Sequence, residues 1–195
     1  YLSVIGDDPD GLAGADSSKL KASMIGRSKA LRNYMKAIMS DECPWCVVSA
    51  STVGWAKRLF PELTDEEAYL KLWDQILSAC RAKGEDPVAD WEEHISILDE
   101  KAKFLHENEL VKLHITNELG TDLYVGLPKG HIWQSAGSYA KKADRFVANI
   151  PTEEVFTMPH KEQTSGIVYN AKPLNYSGVL IDNFWLKFEE GKVVD

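Results

Sequence analysis

Cysteine is scarce in this 195-residue sequence, with only Cys43, Cys46 and Cys80. So odd and sparse a set argues against a secreted disulfide framework and fits a reducing cytoplasm. Long apolar runs are missing too. None approaches the roughly 18 residues that a membrane helix needs, so no membrane span is expected. Basic charge is in deficit, with 22 Lys and Arg against 30 Asp and Glu and a net charge of −8. The footprint that phosphate backbones demand is therefore absent, which speaks against nucleic acid and anionic membrane surfaces as partners and leaves small neutral ligands open. There is no HExxH zinc helix, no GxSxG nucleophile turn and no GxGxxG loop. Gly6, Gly11 and Gly14 follow the first strand at the wrong spacing, and Asp7, Asp8, Asp10 and Asp16 among them would repel a phosphate. No basic and apolar leader precedes Tyr1, and Gly191 to Asp195 stops on strand-like residues, so the expectation is a chain cut at both ends.

What is present is the composition of a soluble globular protein, 44% hydrophobic and 27% charged. Tyr1 to Gly6 reads as a strand, and Leu20, Met24, Leu31, Met35 and Ile38 recur at helical spacing behind the candidate caps Ser17 and Ser18. Cys46 to Ala50 is a short buried-strand candidate, and Ser51-Thr52 caps a brief helix that ends at Pro61. Thr64 with Glu67 is a capping box, and behind it Tyr69, Leu72, Trp73, Ile76, Leu77 and Cys80 form one stripe. Asp86-Pro87 starts another helix, with Val88, Trp91, Ile95, Leu98, Ala102 and Leu105 on one face. Strand alternating with helix is the rhythm of an α/β layer on a parallel sheet. After Leu110 the period changes to 2. Val111, Leu113 and Ile115 lead through a turn at Asn117–Thr121 to Leu123, Val125 and Leu127, and Phe184, Leu186 and Phe188 alternate before the Glu190-Gly191 turn. The fold class is thus α/β followed by α+β: a helix-rich layer over residues 1–110, then a mostly antiparallel β part over residues 111–195. Nearly all of the negative excess lies in the first part.

Cys43-Pro44-Trp45-Cys46 invites a thiol oxidoreductase reading. In a redox fold, however, the reactive Cys sits at a helix N-terminus, whose dipole lowers its pKa. Here the pair precedes the apolar Val47-Val48 and follows Asp41-Glu42, which favours two thiols packed at a strand entrance. No second CxxC or HxxxH completes a zinc site. His94 and His106 are too far apart on their helix to share a metal, and His114, His131 and His160 read as surface or hydrogen-bonded histidines. The segment Asn149 to Pro159 differs. Two adjacent carboxylates, Glu153 and Glu154, lie between Pro151 and Pro159. If Glu154 begins a strand, period 2 sends the pair to opposite faces and puts Glu154 on the face of Phe156. A carboxylate beside an aromatic wants a cation, and a divalent metal is one candidate, as against two exposed glutamates at a loop edge.

Asn149 to Thr157 closely resembles the Asn-x-Pro-x-x-Glu-Val-Phe-Thr signature of the aminopeptidase T, AmpS and PepS family of metalloaminopeptidases. The resemblance extends over the whole chain: Thr52-Val53-Gly54-Trp55-Ala56-Lys57 through Phe60-Pro61, Leu72-Trp73-Asp74-Gln75-Ile76, Asp86-Pro87 with Trp91-Glu92-Glu93-His94, Gly120-Thr121-Asp122-Leu123, Gly126-Leu127-Pro128, and Lys172-Pro173-Leu174 with Tyr176-x-Gly178. It is strongest to the PepS enzymes of Gram-positive bacteria. It implies a cytoplasmic homodimer that removes N-terminal residues from peptide substrates with two divalent metal ions, zinc, cobalt or manganese, which polarise the scissile carbonyl and activate a bridging water. The signature glutamate is a metal ligand in the family, and the match puts that role on Glu154, while Glu153 stands at a variable position. The family's further glutamate, two histidines, tyrosine and aspartate match nothing here, and His160 and Glu162 are not where the family places ligands. No catalytic residue is carried over. The implied chain is a middle segment of the enzyme, with a catalytically silent structural or dimerisation fragment as the alternative and a thiol-redox protein a distant third.

Overall fold

The structure is a computed structural model in which residues 1–141, 145–176 and 179–195 are described. The chain forms two compact units, Tyr1–Leu98 with Ser135–Glu154, and Asp99–Gln134 with Val155–Asp195. It opens with strand β1 (Leu2–Ile5), helices α1 (Ser17–Ala30) and α2 (Arg32–Met39), strand β2 (Cys46–Ser49), and helices α3 (Val53–Leu59), α4 (Asp65–Ala79) and α5 (Pro87–Glu107). Next come β3 (Lys112–Thr116), β4 (Asp122–Gly126), β5 (Gly137–Tyr139), β6 (Arg145–Val147) and β7 (Asn149–Ile150). The chain ends with β8 (Thr164–Tyr169), β9 (Leu174–Tyr176), β10 (Val179–Ile181), β11 (Trp185–Glu189) and β12 (Lys192–Val193). A parallel sheet with helices followed by antiparallel sheets is the fold class expected from the sequence. Gly178, one of the residues carrying the family resemblance, lies outside the described residues.

In the first unit β1, β2 and β7 form a parallel sheet, with Val4 opposite Val48 and Val48 opposite Ile150. The helices over it begin where side-chain oxygens accept free backbone N–H groups. Thr52 caps α3, and Thr64 with Glu67 closes the expected capping box on α4. Asp86 accepts from the N–H groups of Val88 and Ala89 at the start of α5. The cap of α1 is Asp16 rather than Ser17 or Ser18, because its carboxylate reaches the N–H groups of both Ser18 and Lys19. The continuous first helix expected from the apolar spacing is divided at Leu31. The core is Ala56, Ala68, Leu72, Ile76 and Cys80, with Trp55, Phe60, Leu63, Trp73 and Ile150 packed around it. Leu77 and Val88, both placed on apolar stripes by spacing, are exposed, whereas His94, Leu98 and Ala102 line the buried side of α5.

The second unit is built on an antiparallel sheet in the order β12, β11, β8, β4, β3. The β3–β4 turn is held by Asn117, whose side-chain oxygen accepts from the N–H groups of Leu119 and Thr121. Glu190 and Gly191 join β11 to β12 with φ of 47° and 74°, the paired positive values of a type I′ hairpin turn. Gly166 sits in β8 with φ of 118°, and a Cβ there would collide with the Asp122 carbonyl of β4. No helix among the described residues is long and apolar enough to cross a membrane.

Candidate functional site

Residues 149–153 of the Asn149–Thr157 segment are held at several points within the first unit. Asn149 and Ile150 pair with Val47 and Val48, Ile150 packs on the helical core, and a cis peptide links Ile150 to Pro151. His94, 8% exposed, donates from Nε2 to the Thr152 carbonyl at 2.8 Å. That contact places a proton on Nε2 and leaves the ring edge-on to Trp91. The His94 Nε2 also lies 3.5 Å from the Glu153 carboxylate. Glu153 takes the guanidinium of Arg81 in a two-point fork, with Nη1 and Nη2 at 2.5 Å and 3.0 Å from its two oxygens.

The condition under which period 2 would send Glu153 and Glu154 to opposite faces, a strand beginning at Glu154, is not met. Instead the residues after Ile150 are irregular, and the ladder is reduced to one antiparallel bridge between Phe156 and Gln134. Phe156 and Gln134 exchange two backbone hydrogen bonds, and Thr157 Oγ1 donates to the Ile132 carbonyl, all within the second unit. The reason is the pair of prolines bounding the segment, which cannot donate to a ladder. Glu154 itself is exposed, and its carboxylate has no hydrogen-bond or ion-pair partner among the described residues. The two neighbouring glutamates therefore differ: Glu153 is paired with Arg81, and the Glu154 carboxylate has no partner among the described residues.

A divalent cation is held by several oxygen or nitrogen donors. Among the described residues no three His, Cys, Asp or Glu side chains are grouped to hold one. Glu154 fits the part of one contributed ligand, not of a complete cage. His160 Nδ1 accepts from the Glu162 backbone N–H, and the two are in no group of three potential metal-binding side chains among the described residues. His114 is paired with Asp122 at 2.7 Å and stacked on Tyr124, and His131 bonds the Pro128 carbonyl. Cys43 and Cys46 are free thiols that precede β2 and open it, and Cys80 is buried in the core. Burial pushes the Cys46 thiol up, the nearby Cys80 adds to this, and the chain N-terminus opposes it weakly. That is the reverse of an activated cysteine.

A family model described as thermophilic metalloprotease (M29) matches residues 1–195. The chain belongs to the M29 metalloprotease family. The M29 chain is 43% identical over 195 residues to aminopeptidase AmpS of Bacillus subtilis, and 41% identical over 194 residues to aminopeptidase T of Thermus aquaticus. It is 40% identical over 195 residues to aminopeptidase PepS of Streptococcus thermophilus. Each alignment covers 100% of the M29 chain and 47% of the relative, so the chain spans about half the length of these proteins. The solved structure of wild-type AmpT from Thermus thermophilus superposes with a TM-score of 0.90 at 36% identity, over 100% of this chain and 47% of that one. What sequence reasoning missed is the support around Glu153. Arg81 and His94 carry no motif that announces a contact with residues 152–153, and only the pairing of β7 with β2 brings them together.

Proposed function

We propose that this chain is part of a metal-dependent aminopeptidase that releases N-terminal amino acids from peptides, and that Glu154 supplies one of its metal ligands. The observation that carries the reading is the uncommitted, exposed carboxylate of Glu154 beside a neighbour locked in an ion pair, at the glutamate of the Asn149–Thr157 signature. Membership of the M29 metalloproteases, and likeness along the whole of this chain to about half the length of several aminopeptidases, support it. When bound, two divalent ions, zinc, cobalt or manganese, would polarise the scissile carbonyl and supply a water-derived nucleophile at neutral pH. The role of this chain is to present Glu154 from an anchored segment. The full-length protein is proposed to act in the cytoplasm as a homodimer. The 195-residue chain alone is proposed to be catalytically silent, since one carboxylate cannot hold a dinuclear centre.

The test is hydrolysis of a leucyl chromogenic amide. The full-length protein should turn it over with cobalt or zinc, lose that activity to a chelator and regain it on adding metal. The 195-residue chain under the same conditions should give none. Metal-independent turnover by the full-length protein would remove the reading, and robust turnover by the short chain would remove the proposal that it is silent.

A further inference from the structure

The end of α4 contains a residue that local backbone preference does not explain. Cys80 is the C-cap, the N–H of Ala82 reaches the Leu77 carbonyl at 2.8 Å, and the N–H of Arg81 reaches the Ser78 carbonyl at 3.1 Å. These two bonds define a Schellman ending, in which the residue after the cap adopts the left-handed conformation that glycine accepts without strain. Arg81 occupies it with φ of 53°. A strained non-glycine position that persists is a reason to ask what its side chain does. Here the guanidinium lies 5.8 Å from the centre of the Trp91 ring and forks onto Glu153, while Trp91 Nε1 donates to the Cys80 carbonyl at 2.7 Å. The ion pair leaves Glu153 62% exposed, and exposed pairs add little to stability. For folding alone, glycine would serve as well or better at this position.

Position is what the contact provides. Ile150 is fixed by β2 and the core, the Thr152 carbonyl by His94, and the Glu153 side chain by Arg81. Glu154 comes next. With three of the four preceding residues tied down, only the few torsions at Glu154 remain to be set before its carboxylate is aimed. Resting on the assignment of Glu154 as a metal ligand, we propose that Arg81 is a positioning residue which, through its fork on Glu153, presents Glu154 to the metal. Partners that orient a ligand from behind in this way typically change metal affinity about 10- to 100-fold when lost.

The experiment uses the full-length protein stripped of metal, with zinc affinity measured by competition against a chromogenic chelator and metal-free melting followed in parallel. Arg81→Gly removes the guanidinium and relieves the backbone at once. It should weaken zinc binding about tenfold while the metal-free protein melts no lower than wild type. Glu153→Gln keeps an amide oxygen that can still accept from Arg81 and should weaken binding less, and in the double variant it should add little to the loss caused by Arg81→Gly, because the Arg81 fork is already gone. Glu154→Gln is the control and should lose affinity in its own right. Wild-type affinity in Arg81→Gly alongside a loss in Glu154→Gln overturns the positioning role and leaves the ligand assignment standing. A lowered metal-free melting temperature in Arg81→Gly also overturns it, in favour of a structural role. Wild-type affinity in Glu154→Gln overturns the ligand assignment and the positioning role together.

Discussion

Glu153 and Glu154 share a chemistry and a place in the sequence, yet their surroundings give them different work. Glu153 is held by two guanidinium nitrogens, and Glu154 touches no described polar group. The thiols are separated by environment in the same way. Desolvation holds the Cys46 and Cys80 thiols above their ordinary pKa, so at neutral pH the thiolate fraction is smaller than in a free cysteine. Replacing Cys43 and Cys46 by Ser should therefore leave peptidase activity of the full-length protein unchanged, as judged by the chromogenic assay. Alkylation of Cys46 by iodoacetamide should stay slow at pH 7 and accelerate only above the ordinary thiol range. Rapid labelling at pH 7 with loss of activity would restore a role for the CxxC. Among residues, Glu154 is singled out by the resemblance of Asn149–Thr157 to the family signature, and the structure shows it exposed. Arg81 and His94 were not legible in the sequence, because their importance comes from a contact across about 60 to 70 residues of sequence, which no local spacing encodes.

Helix starts are the elements most directly written in the sequence. The Thr64 and Glu67 box is present as expected, and its carboxyl is held below the usual range first by the Thr64 hydroxyl and then by the Thr64 backbone N–H. Because the folded value lies below the unfolded one, the contribution of Glu67 is fully present above the ordinary carboxylate pKa and is lost as pH falls through the folded value. Thr64→Ala should destabilise the first unit by about 1 kcal/mol. Hydrogen exchange should be faster in the variant at the Glu67 amide, which donates to the Thr64 hydroxyl. Equal exchange at neutral pH would mean the cap is not supporting α4. Apolar stripes were legible in outline but not at their edges. Leu77 and Val88 lie at the margins of their faces and stay exposed, and the buried polar position of α5 is His94, which a hydrophobic pattern passes over. The two-residue β7 has no periodicity to detect. It exists because Val47 donates to the Ala148 carbonyl and Ile150 finds the core, both tertiary facts.

At the scale of the whole molecule, the change of period after Leu110 corresponds to a real change of architecture, from a parallel sheet under helices to antiparallel sheets. The compact units nonetheless do not divide at one point, because residues 135–154 rejoin the first unit and the chain leaves it again after Glu154. The candidate ligand is thus the last residue of one unit, at a crossing that has no signal of its own in composition. The charge deficit follows the helical part and bears on none of the site residues. The chain spans 47% of the length of its relatives, and on the proposed reading it brings one ligand, Glu154, to a centre that needs several. The most direct test of that account is the metal content of the full-length protein carrying Glu154→Gln, measured by plasma mass spectrometry after zinc loading and desalting. The expected result is a folded protein that retains fewer zinc ions than wild type and no longer hydrolyses the leucyl amide. Wild-type zinc content with undiminished hydrolysis would contradict it.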